Sequence, residues 1–126
     1  MQQELIDDMN KTAESIIEDL KGFADGKYLD IMTRKFVKKD APNTETLYEY
    51  LTDNCGIRYT VDQDLDYVGC RICMGWGGPN IYLDTMNNEI TGYWGYSNEV
   101  HIPVDKNLID MVDEEMEYEY NCRRGM

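Results

Sequence analysis

The chain is poor in positive charge, in histidine, in serine and in long apolar runs, and each shortage removes a class of function. Only 12 basic residues stand against 25 acidic ones, for a formal net charge of −13. A chain with that balance repels nucleic acid and anionic membrane through its net field, so direct binding to either is not expected. No apolar stretch is long enough to cross a bilayer. The opening Met1-Gln2-Gln3-Glu4 lacks the basic and apolar regions of a signal peptide, so the expected location is the cytoplasm. His101 is the only histidine, and Ser15 and Ser97 are the only serines. A Ser-His-Asp triad would have to use one of these two. Ser15 falls within a helical pattern, and Ser97 lacks the strand-turn-helix context of a nucleophile elbow. No Gly-Lys-Ser/Thr follows the glycine-rich run, and no Gly-x-Gly-x-x-Gly opens a helix. No catalytic residue and no cofactor is expected.

The four cysteines, Cys55, Cys70, Cys73 and Cys122, do not make a disulfide framework by their number alone, and in a reducing compartment they are expected as thiols. Cys70-Arg71-Ile72-Cys73 has the Cys-x-x-Cys spacing, and with Cys55, Cys122 and His101 it offers enough ligands for one zinc. A zinc hairpin needs a turn between its cysteines. Here the pair sits in a strand pattern, where residues three apart point to opposite faces, so structural cysteines and no metal are expected. A small Cys/His zinc protein stands as the alternative.

A chain of 126 residues, 42% hydrophobic, suits one globular domain over residues 1–126. There is no internal repeat, low-complexity tract or linker. Leu5, Ile6, Met9, Ala13, Ile16, Ile17, Leu20 and Ala24 recur at helical steps over residues 3–24. Residues 27–38 show helical spacing at Leu29, Met32 and Phe36, with a loop as the alternative. Asn43 or Thr44 is placed to cap a short helix bearing Leu47, Tyr50 and Leu51. The period then changes to two, predicting strands over 57–62, 67–76, 80–85 and 89–95, with Asn87-Asn88 as a tight hairpin. Val100-His101-Ile102 adds a brief extended piece. Pro103 and Asp105 then open a last helix with Leu108, Ile109, Val112 and Met116 as its buried stripe. The expected fold is α+β: a four-stranded antiparallel meander, with N-terminal helices and a C-terminal helix packed on one face.

Charge is concentrated along the chain. Residues 3–21 carry −4, residues 43–67 carry −5, residues 105–121 carry −6, and residues 22–42 carry +2. Acids solvating exposed helix faces are the commonest cause of such a pattern. However, carboxylates near a helix C-terminus work against its dipole, which shifts weight toward a binding role for the last segment. Asp110, Asp113, Glu114, Glu115, Glu117 and Glu119 are therefore expected to meet a basic protein surface. Trp76, between glycines in Gly75-Trp76-Gly77-Gly78-Pro79, and Tyr93 and Trp94, between Gly92 and Gly95, are the candidate aromatic contacts.

Small size, acids massed on helices and an aromatic antiparallel sheet make the chain similar to the anti-CRISPR and anti-restriction proteins of phages and mobile elements. The segment from Cys70 to Thr85 also resembles one found in small uncharacterised proteins of gut Firmicutes. The resemblance implies inhibition by binding, with acidic faces occupying a basic groove meant for nucleic acid. The implied partner is a CRISPR effector nuclease or another host defence protein. A protein–protein adaptor, or a homodimeric accessory protein using the sheet aromatics, is the alternative.

Overall fold

The computed structural model describes residues 2–53, 56–75, 79–95 and 98–125. Helix α1 (Gln2–Ala24) buries Met9, Ala13, Ile16, Leu20 and Phe23, a 4-3-4-3 stripe that forms one helical face. It stops at Gly26, whose φ of +76° only glycine adopts without strain.

The next segment departs from its helical spacing. Strands β1 (Tyr28–Asp30), β2 (Phe36–Val37) and β3 (Thr44–Glu45) form a small antiparallel sheet in the order β2-β1-β3. The cause is local: the Asp30 carboxylate accepts the amides of Met32 and Thr33, and Arg34 adopts φ +60°, which closes a turn. Leu29 and Phe36 still reach the core, paired across the two strands. Helix α2 (Leu47–Thr52) is capped by Thr46, not by Asn43 or Thr44. Thr46 and Glu49 form a reciprocal capping box, which satisfies amides at the helix start.

The main sheet has five strands, β4 (Gly56–Val61), β5 (Tyr67–Gly75), β6 (Asn80–Asp84), β7 (Glu89–Trp94) and β8 (Asn98–Pro103), all antiparallel in chain order. The expectation of a single four-stranded sheet is therefore corrected on two counts: a fifth strand and a second sheet. The brief extended piece around His101 pairs with β7 over six residues, from Glu89↔Pro103 to Trp94↔Asn98. Its alternating burial marks it as a half-covered edge strand, a position that tolerates a terminal proline.

Helices α1 and α3 (Lys106–Arg123) pack on one side of this sheet, α3 against β5 and α1 against β8. Cys70, Ile72, Ile81, Leu83 and Ile90 face them and, with Ile109, Val112 and Met116, form the fully apolar centre. Each such buried aliphatic side chain contributes about 1.5–3 kcal/mol. Gly92 lets α1 lie close, since a Cβ there would overlap the Met9 methyl. The opposite sheet face carries Arg58, Arg71, Tyr82, Thr91, Tyr93, Glu99 and His101, placed there by strand alternation.

Candidate functional site

Helix α3 starts at Asp105, whose carboxylate accepts the Asn107 amide at 2.8 Å. The helix then divides its acids into three environments. Glu119 is buried, at 7% exposure. It lies three residues after Met116 and seven after Val112, so it continues the buried stripe rather than the outer face. Its carboxylate accepts from the Tyr48 hydroxyl at 2.7 Å and from Arg123 Nε at 2.7 Å. Those two partners, the tyrosine foremost, hold its pKa below the usual carboxylate value. Asp113 is half-buried and accepts from the Tyr67 hydroxyl at 2.6 Å. Burial first, and this carboxylate second, push the Tyr67 phenol far up. Both acids anchor α3 to the body of the protein.

Asp110 is exposed and pairs with Lys106 one turn earlier. Glu114 and Glu117 are exposed, and Glu115 is half-buried. Beside them Tyr118 is 69% exposed, and Met111, Glu114, Glu115 and Tyr118 line a shallow depression of about 450 Å³. An exposed aromatic ring sharing a depression with two glutamates offers both a contact and a field for a cationic surface. Tyr118 was not among the residues singled out from the sequence. Its signal was its place between Glu117 and Glu119, on the opposite face from Met116.

The acidic turn between β4 and β5 adjoins the end of this helix. The Asp62 carboxylate accepts the amides of Asp64 and Asp66, and Leu65 takes φ +65°. The Leu65 carbonyl accepts from the Tyr120 hydroxyl at 2.6 Å and from Arg124, and Arg124 lies 3.6 Å from Asp66. The two most acidic segments of the chain are thus pinned side by side. Of the acids in residues 43–67, only Asp62, Asp64 and Asp66 join α3 in this way. Glu49 serves the α2 cap, while Glu45 and Asp53 line a separate cavity of about 470 Å³ beneath α1, with Asp19 and Arg34. There burial, and next the Asp53 charge, raise the Glu45 pKa.

Among the described residues, Cys70, Cys73, Cys122 and His101 lie on separate elements or faces, and Cys55 lies outside the described residues. Cys70 faces the helices and is buried, and that burial pushes its thiol up to about 11. Cys73 lies on the opposite face of β5 and is disulfide-bonded, which corrects the expectation that every cysteine is a thiol. Cys122 is exposed on α3. His101 is held on the open sheet face between Glu89 and Glu99. Among the described residues, the only group with metal-ligand spacing is Asp62, Asp64 and Asp66.

The sheet aromatics divide by face. Tyr93 lies on the open face, 6.0 Å from the Tyr82 ring centroid. Trp94 takes the helix-facing side by alternation and is half-buried, so the two do not form one patch. Trp76 and Ser97 lie outside the described residues. Ser15 lines the cavity beneath α1.

No protein-family model, curated protein or solved structure matches the chain. Among the described residues no helix is long and apolar enough to cross a membrane.

Proposed function

We propose that the protein acts by binding, and that the outer face of α3 is the surface it presents to a basic partner. The observation that carries this reading is the placement of Glu114 and Glu115 with exposed Tyr118 around one depression, on a helix that also exposes Asp110 and Glu117, with the Asp62–Asp66 turn held at its end. Each exposed ion pair contributes only about 0–1 kcal/mol. Their fields add against a uniformly positive surface, which raises association rate and selects the partner. The partner that fits this chemistry is the nucleic-acid groove of a nuclease, such as a CRISPR effector or another defence enzyme. The protein would then be an anti-defence inhibitor working in the cytoplasm of the host cell.

The test is inhibition of DNA cleavage by purified RNA-guided nucleases, at low and at high salt. Inhibition should weaken with salt, and it should be lost in the folded triple variant Glu114→Lys, Glu115→Lys, Glu117→Lys. A folded triple variant that inhibits as strongly as wild type at low salt overturns the reading. An adaptor or homodimer role is favoured by one observation, the Tyr82–Tyr93 pair on the sheet face opposite the helices. Sedimentation of wild type against Tyr93→Ala tests it.

A further inference from the structure

The chain has five arginines. Arg34 pairs with Asp19, Arg123 with Glu119, and Arg124 with Asp66. Arg58 and Arg71 have no carboxylate partner among the described residues, although acids outnumber bases by about two to one in this chain. They are, moreover, directly opposite each other across β4 and β5. Like charges in that position repel, so the sheet pattern alone disfavours them. The nearest cross-strand acid is Asp84, opposite Arg71, and its carboxylate is engaged by the Met86 and Asn87 amides and the Asn87 side chain.

Arg71 is also held in place. Its guanidinium lies 3.9 Å from the Tyr82 ring centroid and 5.2 Å from that of Tyr93. Such stacking fixes the planar fork while leaving its N–H edge free to donate. Both arginines line one depression of about 450 Å³ on the open sheet face, a size suited to a small ligand.

We propose that this depression binds a small phosphate monoester, with Arg58 and Arg71 donating to its dianionic phosphate. Two guanidinium charges, one of them held by stacking, match a dianion, whereas one carboxylate would neutralise only one of them. A long polyanion fits poorly. The net charge of −13 repels it, and a strand crossing the sheet would meet Glu89 and Glu99 around His101 at the far edge. A small monoester at the β4–β5 end stays clear of those carboxylates and brings only two negative charges into the net field.

The test is calorimetric or NMR titration of the full chain in low-chloride buffer, with phenyl phosphate, benzoate and a single-stranded oligonucleotide as probes. Phenyl phosphate should bind saturably and more tightly than benzoate. Arg58→Gln, at an exposed position, should weaken it about 10- to 100-fold, and Arg71→Lys, which keeps the charge but loses the fork, should weaken it in the same direction. Thermal melting without ligand shows whether each variant folds. Absence of saturable binding, equal binding of benzoate, or unchanged affinity in folded Arg58→Gln overturns the proposal. Tighter binding of the oligonucleotide than of phenyl phosphate also overturns it, by assigning the site to a polyanion.

Discussion

Replacing Tyr59 by phenylalanine should stabilise the protein. The Tyr59 hydroxyl is buried and has no hydrogen-bond partner among the described residues, beneath the C-terminal end of α3. Burying an unpartnered hydroxyl costs about 1–3 kcal/mol on the evidence of protein mutations. Its ring contacts, to Tyr120 at 5.2 Å and Tyr67 at 6.2 Å between centroids, survive the substitution. Losing one oxygen forfeits some dispersion contact, so the net gain should be about 1 kcal/mol. For 126 residues the unfolding entropy is about 0.26 kcal/mol/K, which converts this gain to about 4 °C in Tm. Urea denaturation and thermal melting of wild type and Tyr59→Phe read it directly. Tyr67→Phe is the control of opposite sign, because its hydroxyl donates to Asp113 at 2.6 Å, and its loss should cost about 1.5–3 kcal/mol. A Tyr59→Phe variant destabilised by more than about 1 kcal/mol would refute the reasoning, since it would show that the hydroxyl has a partner.

The two classes of acid on α3 should separate by mutation: Glu119→Ala should lower stability by about 1–2 kcal/mol, whereas Glu117→Ala should stay within about 0.5 kcal/mol, both by urea denaturation. The trio at the β7–β8 edge should make stability depend on pH from both sides. Hydrogen bonds from His101 to Glu89 first and to Glu99 second raise its pKa above its ordinary 6.5, so the stability it contributes is complete below that value and is lost as pH rises through the folded-state pKa. Burial pushes Glu89 up, but the hydrogen bonds from His101 and Thr91 outweigh it and lower its pKa, so its contribution is lost as pH falls. Melting temperatures across mildly acidic to alkaline pH should show the alkaline decline in wild type and not in His101→Gln.

The parts of this fold legible in the sequence are those where periodicity and burial agree. Helix α1, strands β4 to β7 and helix α3 each carry an apolar repeat of the right period. Where a single side chain decides the backbone, the pattern misleads. Leu29, Met32 and Phe36 have helical spacing, yet Asp30 and the left-handed Arg34 turn the chain into two short strands. Thr46 outcompetes Asn43 and Thr44 as the cap because Glu49, three residues on, completes the box. Strand β8 was legible only as Val100-His101-Ile102, because its pairing with β7 supplies the remaining order. On α3 the acidic run was legible, but its division was not. Composition places Glu119 with Glu117, while the stripe through Val112 and Met116 buries one and exposes the other. The pairing of Arg58 with Arg71 depends on strand register, which composition does not encode.

The central claim, that the outer face of α3 drives binding to a basic groove, is tested most directly by the association rate with an inhibited nuclease at two ionic strengths. Stopped-flow measurement should show wild type associating about 10- to 1,000-fold faster than the folded Glu114→Lys, Glu115→Lys, Glu117→Lys variant at low salt, with the gap closing at high salt. Equal association rates at low salt would contradict the claim and reduce this face of α3 to a solvated surface.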